Sequence, residues 1–314
     1  MTRRTGILRI SREMEASSPV FIVGEARSGT SILYRTLMKH PSFRTREPNL
    51  VETEIFAHLR RVFMFGRDYP EPLLRYMLDD REAYGAFLAS IRPLRLVSAL
   101  NVPVNLLSRG PMTWTLRTNM AHLVLRCYFF HARLARGCRR LVEKTPTNTP
   151  YIPALSRTFP HARLLYIHRH PVDVYSSYRR RGQADPDAAW ARSLTPGAFC
   201  DMYARSADLV LDWAPGHDNL LLVSYERFTG SPEVELRRVC GFLEEPFEAS
   251  ALEEPNPDPG RWKGDPLLWG PIVPVTKRWQ DYMSGDEAGL IERRLHGTMR
   301  RLGYAVNGPA PRPK

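Results

Sequence analysis

Between Val23 and Ile32 the chain reads GEARSGTS: a glycine, four residues, a second glycine, then two hydroxyl side chains. The apolar run VFIVG leads into it, and ILYRTLMKH follows, with Ile32, Leu33, Leu37 and Met38 at helical spacing. Strand, glycine loop and helix make a turn whose backbone amides face an anion at a helix N-terminus. In a nucleotide-binding P-loop of the form GxxxxGK[ST], a lysine after the second glycine reaches the β- and γ-phosphates. Thr30 stands in that place here, and the loop's cation is Arg27. A guanidinium inside the turn can grip a tetrahedral oxyanion through paired hydrogen bonds, beside the amides of Ser28, Gly29, Thr30 and Ser31. The chemistry is anionic, but shifted along the ligand from a γ-phosphate.

A second constellation lies in YIHRHPVDVYSSY, which places Arg169 just past the strand-like run RLLYIH and Ser177 eight residues later, on the first turns of a helix. The flanking His168 and His170 read as packing residues at a strand end rather than as metal ligands or bases. Arg179, Arg180 and Arg181 read as a solvated helix end that complements the negative pole of the dipole.

RSGTS together with Arg169 and Ser177, in that order, resembles the sulfotransferase family that uses 3′-phosphoadenosine 5′-phosphosulfate (PAPS). The resemblance implies a 5′-phosphosulfate cradle at Arg27, Ser28, Gly29, Thr30 and Ser31, and a 3′-phosphate site at Arg169 and Ser177. LVEKTP resembles a family segment near the sulfuryl group, which assigns Lys144 there. VSYERF resembles the stretch that passes the adenine, which brings in Tyr225, and TKRW resembles a donor-covering stretch, with Lys277 as a helper cation for the 3′-phosphate. Glu47, in FRTREPN, corresponds to the acidic general base of the tyrosylprotein-like branch, with Glu52 and Glu54 as rivals; His40 reads as a helix-end packing residue. Arginine rather than lysine in the loop is more like the bacterial and tyrosylprotein branches than the cytosolic animal enzymes. PAPS as co-substrate and PAP as product follow from the resemblance, with no metal required.

These residues need elements to hold them. RLLYIH and NLLLVSY are further strand candidates, with RRLVEK as a shorter one, and helical segments follow, including PEVELRRVCGFL with Ser231 as N-cap and Pro232 at the first helical position. Such alternation predicts an α/β fold: a P-loop-like three-layer architecture with a central parallel sheet flanked by helices. Residues 51–140, with apolar residues at helical intervals and aromatics such as Phe63, Phe65, Trp114, Tyr128, Phe129 and Phe130, are read as a helical acceptor-binding insertion. The expected organisation is a tail over 1–18, one domain over 19–305 and a disordered tail over 306–314. The Pro- and Gly-rich stretch from Glu253 to Pro274, with two tryptophans, is a loop or a lid over a ligand.

Composition narrows the field. An apolar content of 43% and a charged content of 25% are those of a folded globular chain rather than a disordered one. Lys and Arg outnumber Asp and Glu by 45 to 33, a formal charge of +12 that attracts anions of any kind and does not choose among them. The four cysteines have no zinc-type spacing, so no metal site is expected. No run approaches the roughly 20 apolar residues of a membrane helix, and the N-terminal stretch lacks the core of a signal peptide, which places the protein in the cytoplasm. The expected partner is a small-molecule acceptor, a metabolite or carbohydrate that offers a hydroxyl, with no nucleic acid and no membrane span; homodimerisation is left open. Two alternatives stand beside this: a kinase-like enzyme with a degenerate P-loop, and a basic, non-enzymatic binder of anions or nucleic acid.

Overall fold

The computed structural model describes residues 18–45, 126, 129, 132–133, 136–185, 188–253, 271–274 and 279–305. Glu47, Glu52, Glu54, Lys277 and nearly all of the 51–140 insertion lie outside the described residues, as do both tails and most of the 253–274 stretch.

Four strands, β1 (Val20–Gly24), β2 (Val142–Lys144), β3 (Arg163–His168) and β4 (Leu220–Ser224), form one parallel sheet in the order β2-β1-β3-β4. Every residue of β1 is buried, as are five of the six in β3. Strands covered on both faces read as unbroken apolar runs rather than as alternation, which is why VFIVG and RLLYIH are visible in the sequence. β3 and β4 pair in register from Leu164 opposite Leu220 to His168 opposite Ser224.

The helices are α1 (Thr30–Lys39), α2 (Ile152–Thr158), α3 (Pro171–Ala184), α4 (Ala189–Arg192), α5 (Pro196–Trp213), α6 (Tyr225–Gly230), α7 (Pro232–Leu243), α8 (Ser250–Glu253) and α9 (Gly285–Arg301). Three starts have clear local causes. α3 and α5 open with proline, whose missing N–H is no loss at the first helical position, and Thr195 caps α5 by accepting from Ala198 N. α9 opens with a full capping box between Ser284 and Glu287. Ser231 does occupy the N-cap of α7, but its side chain makes no capping bond, so the expected cap is one of position only. Tyr225 is not the last residue of β4 but the first of α6, because Ser224 caps that helix by accepting from Arg227 N.

The described residues fall into two compact units, with the boundary running through β1 and β2. In the first, Val20 N donates to Leu141 O at 2.8 Å, Arg140 reaches Ser18 O at 3.0 Å, and Phe129 meets Phe159 edge-on at 5.0 Å. In the second, α3, α5 and α9 share a core in which the rings of Tyr175, Phe199 and Tyr203 pack in sequence at a tilt, with centroid distances of 5.2 and 5.6 Å. Each such ring taken out of water contributes about 2 kcal/mol. The exposed pairs from Arg301 to Asp208 and Asp212 join α9 to α5 and add little beside that burial. Among the described residues no helix is long and apolar enough to cross a membrane.

β1 ends where its backbone meets β3. Gly24 has φ 149°, and a Cβ built there would lie 2.3 Å from Ile167 O, a backbone atom that cannot swing away. Gly24→Ala is therefore expected to lower the unfolding free energy by about 3 kcal/mol, measured by urea denaturation. A loss below about 0.5 kcal/mol, the range of ordinary surface changes, would contradict this close approach.

Candidate active site

The loop after β1 is built to present amides. Gly29, at φ 99°, is the N-cap of α1, and neither a capping side chain nor an acidic residue occupies the first turn. The positive end of the helix is thus left without a carboxylate in its first turn. Ser28 N closes the turn onto Glu25 O at 3.1 Å. Ser28 is fully buried and its hydroxyl oxygen has no hydrogen-bond partner among the described residues, whereas Ser31 is half-buried. A buried, unsatisfied hydroxyl beside uncapped amides fits an oxyanion ligand. Arg27 holds a left-handed backbone conformation, φ 70°, uncommon for a residue with a side chain and a mark of local constraint.

Arg27 Nε donates to Ser177 Oγ at 3.1 Å. Arg169 Nη1 donates to the Arg27 carbonyl at 3.5 Å, and its guanidinium lies over the Tyr225 ring at 4.4 Å from the centroid. The same ring covers Gly29, where an added Cβ would come within 2.4 Å of Tyr225 Cδ2. Arg27, Gly29, Arg169, Ser177 and Tyr225, read from three separate segments, are therefore drawn together. One feature was not anticipated: the cation assigned to the 5′ end of the donor is bonded to the hydroxyl assigned to the 3′ end. Lys144, at the end of β2, is completely buried rather than a surface lysine. The segment after it reaches the loop, since Gly24 N donates to Thr149 Oγ1 at 3.0 Å.

Several residues around this cluster escape the sequence reading. Glu25, buried inside the loop, accepts from Tyr178 Oη at 2.9 Å and from Ala26 N at 3.0 Å. Burial pushes its carboxyl above the usual carboxylate range, against the pull of those two bonds. Adjacent residues of α3, Ser177 and Tyr178, thus fasten the loop at Arg27 and at Glu25. On the other side of Arg169, Glu226 accepts from His170 N at 2.8 Å, Ser224 Oγ at 2.9 Å and Tyr304 Oη at 3.2 Å. Tyr203 Oη donates to the Arg169 carbonyl at 2.7 Å. A tyrosine one place past Ser177 and a glutamate one place past Tyr225 were the only local signals for any of this.

His168 is buried, and its Nδ1 lies 2.8 Å from Tyr304 Oη. With Tyr304 donating to Glu226, the neutral ring carries its hydrogen on Nδ1 and donates it to the tyrosine oxygen. Burial pushes His168 from its ordinary 6.5 down to about 4, against the nearby Glu226 carboxylate, which raises it.

A parallel sheet flanked by helices, with an uncapped strand-loop-helix turn after its first strand, defines an α/β protein. Residues 19–249, well over half of the chain, match the sulfotransferase family, and the chain belongs to that family. Its fold is similar to that of the sulfotransferase domain of the Synechococcus PCC 7002 olefin synthase, at 21% identity, over 87% of this chain and 93% of that one, with a TM-score of 0.52. It is also similar to the sulfotransferase domain from the curacin biosynthetic pathway, at 16% identity over 92% and 98% of the two chains, TM-score 0.51. A sulfotransferase from Mycobacterium avium is similar at 15% identity over 97% and 82%, TM-score 0.50. At these identities the likeness is one of fold. No curated protein matches the chain. The expected family and the α/β fold with its parallel sheet are borne out, and the kinase and the non-enzymatic binder give way to a sulfotransferase.

The depressed His168 has a consequence for stability. Folded His168 stays neutral where the unfolded chain takes up a proton, so its contribution is complete above pH 6.5 and is lost as the pH falls toward 4. Between pH 7 and pH 5 the loss amounts to about 2 kcal/mol. His168→Gln lacks this titration, so the stability gap between wild type and variant should narrow by about that amount over the interval, measured by urea unfolding at each pH. A gap that stays constant would mean that His168 titrates in the fold as it does in the unfolded chain.

Proposed function

We propose that this sulfotransferase moves a sulfuryl group from PAPS to a hydroxyl of a small-molecule acceptor, a metabolite or carbohydrate, and releases PAP. The observation that carries the reading is the chain of bonds from Arg169 to the Arg27 carbonyl and from the Arg27 side chain to Ser177, at the uncapped start of α1. Two arginines from separate segments, tied together through the Arg27 carbonyl, suit a ligand with two anionic ends better than one with a single phosphate chain. The similar folds of an olefin synthase domain and a curacin pathway domain accord with a metabolite acceptor.

PAPS supplies an activated sulfuryl group whose bridging S–O bond breaks as the acceptor oxygen bonds to sulfur. The amides of Ser28, Gly29, Thr30 and Ser31, with the hydroxyls of Thr30 and Ser31, hold the 5′-phosphosulfate at the N-terminus of α1. Arg27 neutralises the charge that develops on the leaving oxygen. Its Nε is engaged by Ser177, and a planar guanidinium held at Nε presents its two terminal nitrogens in a set direction. Lys144, buried at the end of β2, adds a second positive charge near the transferred group. Arg169 and Ser177 hold the 3′-phosphate with Lys277 as helper, Tyr225 borders the adenine, and Glu47 takes the proton from the acceptor hydroxyl.

Calorimetric titration tests the donor. PAP is expected to bind with micromolar affinity, more tightly than ATP with magnesium or duplex DNA; preferential binding of ATP would defeat the reading. With any accepted substrate, Arg27→Ala and Lys144→Ala are each expected to lower turnover by about 10²–10³-fold, the usual effect of removing one stabilising donor from a transition state. Small and equal losses in both would remove the roles given to them.

A further inference from the structure

We propose that the peptide group joining Arg169 to His170 is a clamp that aims the Arg169 guanidinium at the donor, with Tyr203 and Glu226 as its positioning residues. This rests on the reading of Arg169 as a ligand of the 3′-phosphate. The oxygen of that peptide accepts from Tyr203 Oη at 2.7 Å, and its N–H donates to Glu226 Oε1 at 2.8 Å. Both atoms belong to one rigid plane, so holding its two sides fixes the rotation of the plane and, with it, the direction in which the Arg169 side chain leaves the backbone. His170 O already accepts from Val174 N as the first bond of α3, so the clamp sits at the junction where the helix begins.

The holders are themselves held. Tyr203 is buried in the core of α5, 5.6 Å from the ring of Phe199. Glu226 is exposed, yet its second oxygen accepts from Ser224 Oγ and Tyr304 Oη, and the Tyr304 ring packs edge-on against both His168 and His170, at 5.5 and 5.2 Å. A buried carbonyl outside a helix needs some donor, which alone would account for Tyr203. It does not account for the pairing on α6: consecutive residues Tyr225 and Glu226 hold the two ends of one arginine, Tyr225 beneath the guanidinium and Glu226 at the following peptide.

The charge of Glu226 makes the proposal testable by sign. Removing a carboxylate near a phosphate site strengthens anion binding if only charge matters; losing the clamp weakens it. Titrations of PAP and of adenosine 5′-phosphate, which lacks the 3′-phosphate, are compared within each variant, so any unfolded fraction cancels from the ratio. Glu226→Ala and Tyr203→Phe are each expected to lower the preference for PAP about tenfold, the size of a hydrogen bond that acts through a charged group, with Glu226→Gln recovering part of it. In an Arg169→Ala background Glu226→Ala is expected to cost nothing further. If Arg169→Ala removes the preference while Glu226→Ala and Tyr203→Phe retain it or sharpen it, the clamp is wrong and the 3′-phosphate reading stands. If Arg169→Ala itself leaves the preference intact, that reading falls and the clamp falls with it.

Discussion

The approach of two glycine backbones to their neighbours is the constraint on which the site depends. Gly24 sits against the carbonyl of Ile167 and Gly29 against the ring of Tyr225, each so close that no Cβ fits. The first contact draws the end of β1 onto the end of β3, and the second seats the start of α1 on the start of α6. Because Arg27 lies between these glycines and Arg169 two residues past Ile167, two such contacts bring remote segments together so that Arg169 reaches the Arg27 carbonyl. A side chain at either glycine would force these contacts apart.

Arg169 and Arg27 each bond a neutral partner. Tyr225 lies under Arg169 as a neutral π-face, which attracts the cation but does not compete with an anionic ligand for its hydrogen bonds. The Arg27 carbonyl supplies a partial negative charge to Arg169, and Ser177 supplies one to Arg27. The one carboxyl inside the loop, Glu25, is turned to Tyr178 and Ala26, and burial raises its proton affinity.

What the sequence made legible follows from the range of each interaction. The strands at VFIVG and RLLYIH, the loop and the helix starts at Thr30 and Pro171 are decided by residues a few places apart, and they read directly. The Arg169 and Ser177 pair is one strand end and two helical turns, again local. Tyr203 and Tyr304 act on the same loop from positions 34 and 136 residues away, through α5, which carries no motif, and through the residues just past α9. Nothing local distinguishes a tyrosine that bonds a distant carbonyl from one that merely fills a core. Tyr225 was misplaced for a different reason: its β-favouring type continues the run LLLVS, but the capping hydroxyl of Ser224 ends the strand one residue earlier.

The choice of arginine over lysine at position 27 has its reason in the same geometry. A lysine offers one ammonium at the end of a flexible stem, and bonding Ser177 would commit the group that must also meet an oxyanion. Arginine separates the two tasks along one side chain, with Nε on the hydroxyl and the terminal pair beyond it. The strained backbone at Arg27 is consistent with this, since a left-handed residue directs its side chain where a regular turn would not. Ser177 thereby becomes part of the loop's architecture, bonded to Arg27 through a single hydroxyl.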